Sequence, residues 1–173
     1  MSAADTGAMA TPITALPLAA CFEFVAHPGT AVVADAISAW PGNPGQALWD
    51  AAGLPTLLHF APDRWLVPAP APTLLRELTS LARGGSGALI EVEGKWQEVR
   101  IAAEHARRIL SASIDVEAVL AGRECAAILL FDCPAILGRH DGAFNLWIAA
   151  SFVHSLLAVI AVVPNPYRGA FVG

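Results

Sequence analysis

The sequence predicts an α+β fold, and three observations predict it. The order strand, strand, helix recurs at 56–82, 88–110 and 135–163. Turn signals stand at the strand junctions, the strongest being Asp141-Gly142, because both central positions of a type I′ hairpin turn need a positive φ. The last unit passes from period-two alternation over 144–148 to a helical period after Ser151. Together they speak the ferredoxin-like vocabulary of small α+β lobes, used more than once.

Taken in order, 21–26 alternates around Phe22, Phe24 and Ala26 as a first strand, and His27-Pro28-Gly29 ends it. Residues 32–40 are helix-like or extended, and 41–45 are a dense Pro/Gly loop. Residues 46–52 give two helical turns stopped by Gly53, a favoured residue just past a helix end. Strands follow at 56–60 and 64–67 around an Ala61-Pro62-Asp63 turn. A helix over 73–82 is capped by Thr73, has an apolar face of Leu74, Leu75, Leu78 and Leu81, and closes at Gly84-Gly85. The glycine-rich stretch 83–87 is the expected linker between lobes. Residues 88–92 and 96–101 read as strands about a Glu93-Gly94 turn, 103–110 and 116–120 as helices, and 125–131 as a strand resumed at 135–137. A strand over 144–148 then leads to a helix capped by Ser151, with Phe152, Leu156, Val159 and Ile160 on one face.

Residues 143–163 also form an uncharged run of about 21 residues, close to the roughly 20 that a bilayer core requires. Asn145, Ser151, His154 and Ser155 interrupt it, and alternation ending at a helix cap favours a strand plus a helix over a membrane span.

At 173 residues the chain is one domain or two small lobes sharing an interface. The expected division is a disordered lead over 1–20, a two-lobed domain over 21–163 and a tail over 164–173. Hydrophobic residues make up 55% and charged residues 14%, with a mean hydropathy of +0.55. Because the excess is spread along the chain, it points to a subunit enclosed by partners, since obligate interfaces resemble a core cut in half. Trp40, Trp49, Tyr167 and Phe171 are the expected members of that outer face. A net charge of −5 argues against nucleic acid. Three scattered cysteines and no basic leader before the first apolar residues fit a reducing cytoplasm.

Chemistry is sparse. Arg83-Gly84-Gly85-Ser86-Gly87 has the glycines of a phosphate-cradling loop, but a strand follows where such a loop wants a helix N-terminus. His27, His59, His105, His140 and His154 show no metal-ligand spacing, and Cys21, Cys125 and Cys133 no CxxC. Ser151 and His154 could pair as nucleophile and base, although an N-cap is the simpler reading. Asp63-Arg64-Trp65 could grip a small polar ligand, and Arg107-Arg108 an anion; a surface ion pair and a solvated face are the plainer alternatives. The expectation is therefore no catalytic, cofactor-binding or metal-binding residue in this chain.

Several segments, in order, resemble a known family. They are Phe60-Ala-Pro-Asp-Arg-Trp-Leu-Val67, Gly87-Ala-Leu-Ile-Glu-Val-Glu-Gly-Lys-Trp-Gln-Glu-Val-Arg-Ile101, Ala103-Glu-His-Ala-Arg-Arg-Ile-Leu110, Ile114-Asp115, Gly122-Arg-Glu-Cys-Ala126 and Ala150-Ser-Phe-Val-His-Ser-Leu156. Their order and spacing are similar to the gamma subunit of heterotetrameric sarcosine oxidase. The resemblance implies two ferredoxin-like lobes, as in the folate-binding domain of the aminomethyltransferase and of a tRNA-modifying GTPase. It also implies alpha, beta and delta partner subunits that carry FAD, FMN, NAD, zinc and tetrahydrofolate, none of them held by this chain. The implied reaction is oxidative demethylation of an N-methyl amino acid with one-carbon transfer to tetrahydrofolate. Ala61 stands where the family prefers Gly, Ala102-Ala103 replace a Gly-Pro, Ser113-Ile114 a Pro-Leu, and Ala150 an Arg. Relatives include N-methylglutamate dehydrogenases, so the resemblance carries the fold and not the choice of amine.

Overall fold

A computed structural model describes residues 13–16, 20–29, 40–101 and 103–162. Ten strands and four helices of these residues form two five-stranded antiparallel sheets, each covered on its outer face by helix. The first sheet has the order β3-β4-β5-β2-β6, from β2 (Cys21–Ala26), β3 (Ala47–Trp49), β4 (Pro55–Ala61), β5 (Arg64–Pro68) and β6 (Gly87–Glu91). Helix α1 (Pro72–Arg83) joins β5 to β6. Both strands run antiparallel to β2, which lies between them, so the three strands and α1 make a split β-α-β unit.

The second sheet has the order β1-β7-β10-β9-β8, from β1 (Ile13–Leu16), β7 (Trp96–Ile101), β8 (Cys125–Leu130), β9 (Cys133–His140) and β10 (Ala143–Ala149). Helices α2 (Ala103–Ser111), α3 (Val116–Val119) and α4 (Val153–Val162) cover its outer face. Strands β7 and β8, the two that α2 and α3 connect, stand at opposite ends of a four-strand run and point in opposite directions.

Three apolar layers follow from this stacking. Phe24, Leu57, Trp65 and Val67 meet Leu74 and Leu78 of α1. Val99, Leu137, Leu146 and Ile148 meet Ile109, Leu110, Leu156 and Ile160 of the other helices. Between the sheets, Cys21, Leu58, Phe60 and Leu66 meet Cys125, Ile136 and Trp147. Successive strand residues point to opposite faces, so Leu57 and Leu58, or Trp147 and Ile148, serve different cores. Central strands buried on both faces read as continuous apolar runs.

The hairpin signals are realised. Asp141 and Gly142 both have positive φ, 47° and 82°, between β9 and β10. Asp63, at φ 56°, turns β4 into β5. Phe131 and Asp132 form a further positive-φ turn, so β9 starts at Cys133 and not at residue 135.

Several expectations are corrected. Residues 46–52 are not helical: Ala47–Trp49 pairs with β4, and the Asp50 carboxylate accepts the Ala52 and Leu54 N–H groups, both at 2.8 Å. That side-chain turn, with Gly53 at φ 72°, leaves no length for a helix. Residues 13–16, within the expected disordered lead, pair with β7 as an edge strand. Glu93-Gly94 does not close a hairpin, because β6 and β7 belong to different sheets. The chain crosses between sheets there, whereas 83–87 joins α1 to β6 within one sheet.

Thr73 does not cap α1, since Ala71 holds that place and Pro72 supplies the preset φ of the first turn. Ser151 does not cap α4; it lies in a 3-10 turn, Ala150–Phe152, that precedes the helix. Of the expected apolar face, Leu156 and Ile160 of α4 are buried, while Val159 of α4 and Phe152 of the preceding turn are exposed. The uncharged run is split between β10, this turn and α4, and no helix among the described residues is long and apolar enough to cross a membrane. The expectation for 32–40 falls, except for Trp40, outside the described residues, as does that for Tyr167 and Phe171.

Candidate functional site

The backbone N–H groups that open the glycine-rich loop are spent on closing α1. The Gly84, Gly85 and Ser86 N–H groups donate to the Ser80, Ala82 and Leu81 carbonyls, closing α1. Gly87 is required by packing: a Cβ there would meet the Val25 carbonyl oxygen at 2.4 Å. The His27 Nδ1 lies 3.1 Å from the Gly85 carbonyl oxygen, which ties β2 to the same loop.

The other histidines are apart. His59 is buried beneath Trp65, ring centroids 4.1 Å apart, and its Nδ1 lies 2.9 Å from the Pro41 carbonyl oxygen, which also accepts the Trp65 Nε1–H at 3.0 Å. Burial holds this imidazole below its ordinary pKa, against the opposing pull of the Pro41 carbonyl and Asp63. His59 Nε2 is buried without a hydrogen bond, as is Trp147 Nε1. His140 stacks on Trp49 at 4.8 Å. His105 is on α2 and engaged with neighbouring groups, and His154 is exposed on α4. No three His, Cys, Asp or Glu side chains among the described residues are grouped to hold a metal ion.

Strand alternation dismantles the Asp63-Arg64-Trp65 corner. Asp63 occupies the turn, Trp65 faces His59 and α1, and Arg64 points to the inter-sheet side. There Arg64 Nη2 meets Glu23 Oε2 at 2.6 Å, while Lys95 Nζ and Trp96 Nε1 reach Glu23 Oε1 at 2.5 and 2.8 Å. Glu23 is only 2% exposed, the most buried charged side chain described. Burial pushes its pKa upward, but the hydrogen bonds from Lys95, Trp96 and Arg64 outweigh it and hold the carboxyl below its ordinary value. Sequence reasoning missed this cluster because alternation around Phe22, Phe24 and Ala26 assigns Glu23 to solvent. The signal was a lone acid in an otherwise apolar strand.

A second junction joins the sheets at the other end. The Gly45 carbonyl accepts the Glu124 and Cys125 N–H groups, and Glu124 accepts from Ala47 N at 2.9 Å and Trp49 Nε1 at 3.3 Å. Arg107 of α2 and Arg139 of β9 converge on Glu117 of α3, at 3.5 and 3.1 Å. Arg108 lies on the same helix and has its own engagements. Cys21 and Cys125 are buried thiols pushed up to about 12, mainly by loss of solvation, and Cys133 is buried elsewhere. Trp40 and Trp49, expected on an oily outer face, are half-buried, Trp40 tilted against Trp65 at 5.2 Å and Trp49 stacked on His140. Glu23 and Glu124 thus serve the two junctions between the sheets, and His59 the core beneath Trp65.

No family model and no curated protein sequence matches the chain. Among solved structures, it is similar to a chain of the heterotetrameric sarcosine oxidase from Corynebacterium sp. U-96 in complex with pyrrole 2-carboxylate, with a TM-score of 0.66 and 20% identity. The likeness covers 86% of this chain and 83% of that one. It establishes a shared fold across nearly the whole of both.

Proposed function

We propose that this chain is the gamma-type structural subunit of a heterotetrameric, flavin-dependent complex that oxidatively demethylates an N-methyl amino acid in the cytoplasm. In this reading the alpha, beta and delta partners hold FAD, FMN, NAD, zinc and tetrahydrofolate, and this chain contributes no catalytic residue. The observation that carries the proposal is the extent of the fold likeness. Coverage of 86% and 83% pairs two chains of nearly equal length, as expected of one small subunit with another and not of a domain cut from a large one. The use of Glu23, Glu124 and His59 in junctions and core supports the same reading. We read the two sheets as the two ferredoxin-like lobes of an aminomethyltransferase-type folate-binding fold, here serving as scaffold.

Co-expression with the large flavin-bearing and NAD-bearing subunits of the same source tests it. The chain should elute with them as one yellow species, and the isolated chain should be colourless and give no saturable signal with tetrahydrofolate. Saturable folate binding by the isolated chain, with no complex formed, would replace the proposal with a stand-alone folate-binding protein.

A further inference from the structure

The loop 41–46 forms a strap across one end of the molecule, held by buried groups of both sheets. Toward the first sheet, the Pro41 carbonyl oxygen lies 2.9 Å from His59 Nδ1 and accepts the Trp65 Nε1–H at 3.0 Å. Gly45 N donates to the His59 carbonyl at 2.7 Å, and His59 N donates to the Gln46 carbonyl at 3.0 Å. Toward the second sheet, the Gly45 carbonyl accepts the Glu124 and Cys125 N–H groups at 2.7 and 3.0 Å, and the Cys125 thiol reaches the Gln46 carbonyl at 3.3 Å. His59 thus meets the strap through its ring and through both of its backbone groups. It is 3% exposed and stacked on Trp65, and its Nε2 has no hydrogen-bond partner.

We infer that His59 is a proton-operated latch: neutral, it holds the strap 41–46 across the two sheets, and in mild acid its protonation releases the strap while the rest of the fold persists. The inference is independent of the proposed membership of a complex. A neutral imidazole that donates from Nδ1 to Pro41 leaves Nε2 as a bare acceptor, and a second proton there would bury a cation whose new N–H has no hydrogen bond in place. The carbonyls of Pro41, Asn43 and Ala61 and the carboxylate of Asp63 favour the charged ring, but burial outweighs them and holds the imidazole below its ordinary pKa. Other charges stand apart. Residues 40–49 carry none, Arg64 points to the other face of its strand, and Glu124 binds Ala47 and Trp49. Helix α1 meets this core through Leu74 and Leu78, and its Arg76, Glu77 and Arg83 are not buried. The sign follows. The neutral ring stabilises the closed strap fully above the free value of about 6.5, and that contribution is lost as the pH falls through the lower folded value. Opening gives both ring nitrogens water, so protons select the open strap.

Amide hydrogen exchange of the full chain, followed by NMR between pH 7.5 and pH 5 and expressed as protection factors, tests this. The Gly45 and Cys125 amides, which hold the strap to the two sheets, should lose protection at least threefold toward pH 5. The Val92 amide, bonded to the Cys21 carbonyl at the opposite edge of the first sheet, should keep its protection. His59→Gln retains an N–H for Pro41 but does not titrate in this range, so its Gly45 and Cys125 protection should be independent of pH. Constant protection of Gly45 and Cys125 in the parent overturns the inference. So does a parallel fall at Val92, which would mark global unfolding, or an equal fall in His59→Gln, which would place the titrating group elsewhere. If His59→Gln does not fold, the His59 ring resonances of the parent decide: their midpoint should lie below about 6.5, and a midpoint at or above that value overturns the latch.

Discussion

At the scale of single residues, Glu23 has the largest consequence. It sits on β2 of one sheet and takes donors from Arg64 of the same sheet and from Lys95 and Trp96 at the start of the other. A buried carboxylate is tolerated because three donors replace its water, and removing it strands two cations. Arg64 and Lys95 remain 43% and 45% exposed, so their attraction is screened and they can return to solvent. Glu23→Gln should therefore cost about 1–3 kcal/mol, below the loss of a fully buried pair. The pH dependence has a definite sign. A carboxyl held below its ordinary pKa stabilises the fold fully above the unfolded value of about 4.3, and the contribution disappears as pH falls through the lower folded value. Urea denaturation from pH 7 to pH 3 should show an acid loss of stability that is smaller in Glu23→Gln. Parallel curves would mean that the cluster does not couple to folding.

Elements show which parts of the sequence could be read locally. The turns at Asp63 and Asp141-Gly142 were legible because a positive φ restricts the residue at the turn itself. The helix at α1 was legible from its leucine spacing, and the strands from their alternation. What local pattern could not give was sheet membership: Glu93-Gly94 looks like a hairpin turn, and only the long-range pairing of β6 with β2 and of β7 with β10 assigns its flanking strands to different layers. The segment at β3 was misread for a similar reason, since its strand state depends on β4 and on the Asp50 turn. Gly87 gives the test at this scale. It lies at the entry to β6 against the β2 backbone, with 2.4 Å between a would-be Cβ and the Val25 oxygen. Gly87→Ala should cost about 1–3 kcal/mol by thermal or chemical denaturation, as overpacking against backbone does. A neutral result would show that β6 can shift away from β2.

For the whole molecule, the stacking of helix, sheet, sheet and helix changes what the hydropathy means. An oily composition suggested a chain enclosed by partners along its length. Two sheets buried on both faces absorb much of that excess within the chain, and the large apolar side chains exposed among the described residues are Leu54, Ile90, Leu129, Phe152, Val159 and Val162. Of the candidate chemistry, the scatter of histidines and cysteines was legible from spacing, whereas the Glu23 and Glu124 junctions were not, because each forms only when two sheets distant in sequence meet.

The most direct measurement is formaldehyde release from N-methyl amino acids, including sarcosine and N-methylglutamate, assayed with an electron acceptor and with or without tetrahydrofolate. The isolated chain should give no turnover above a protein-free control, and turnover should appear only when the flavin-bearing partners are present. Demethylation by the purified chain alone would contradict a scaffold role and place the chemistry in this polypeptide.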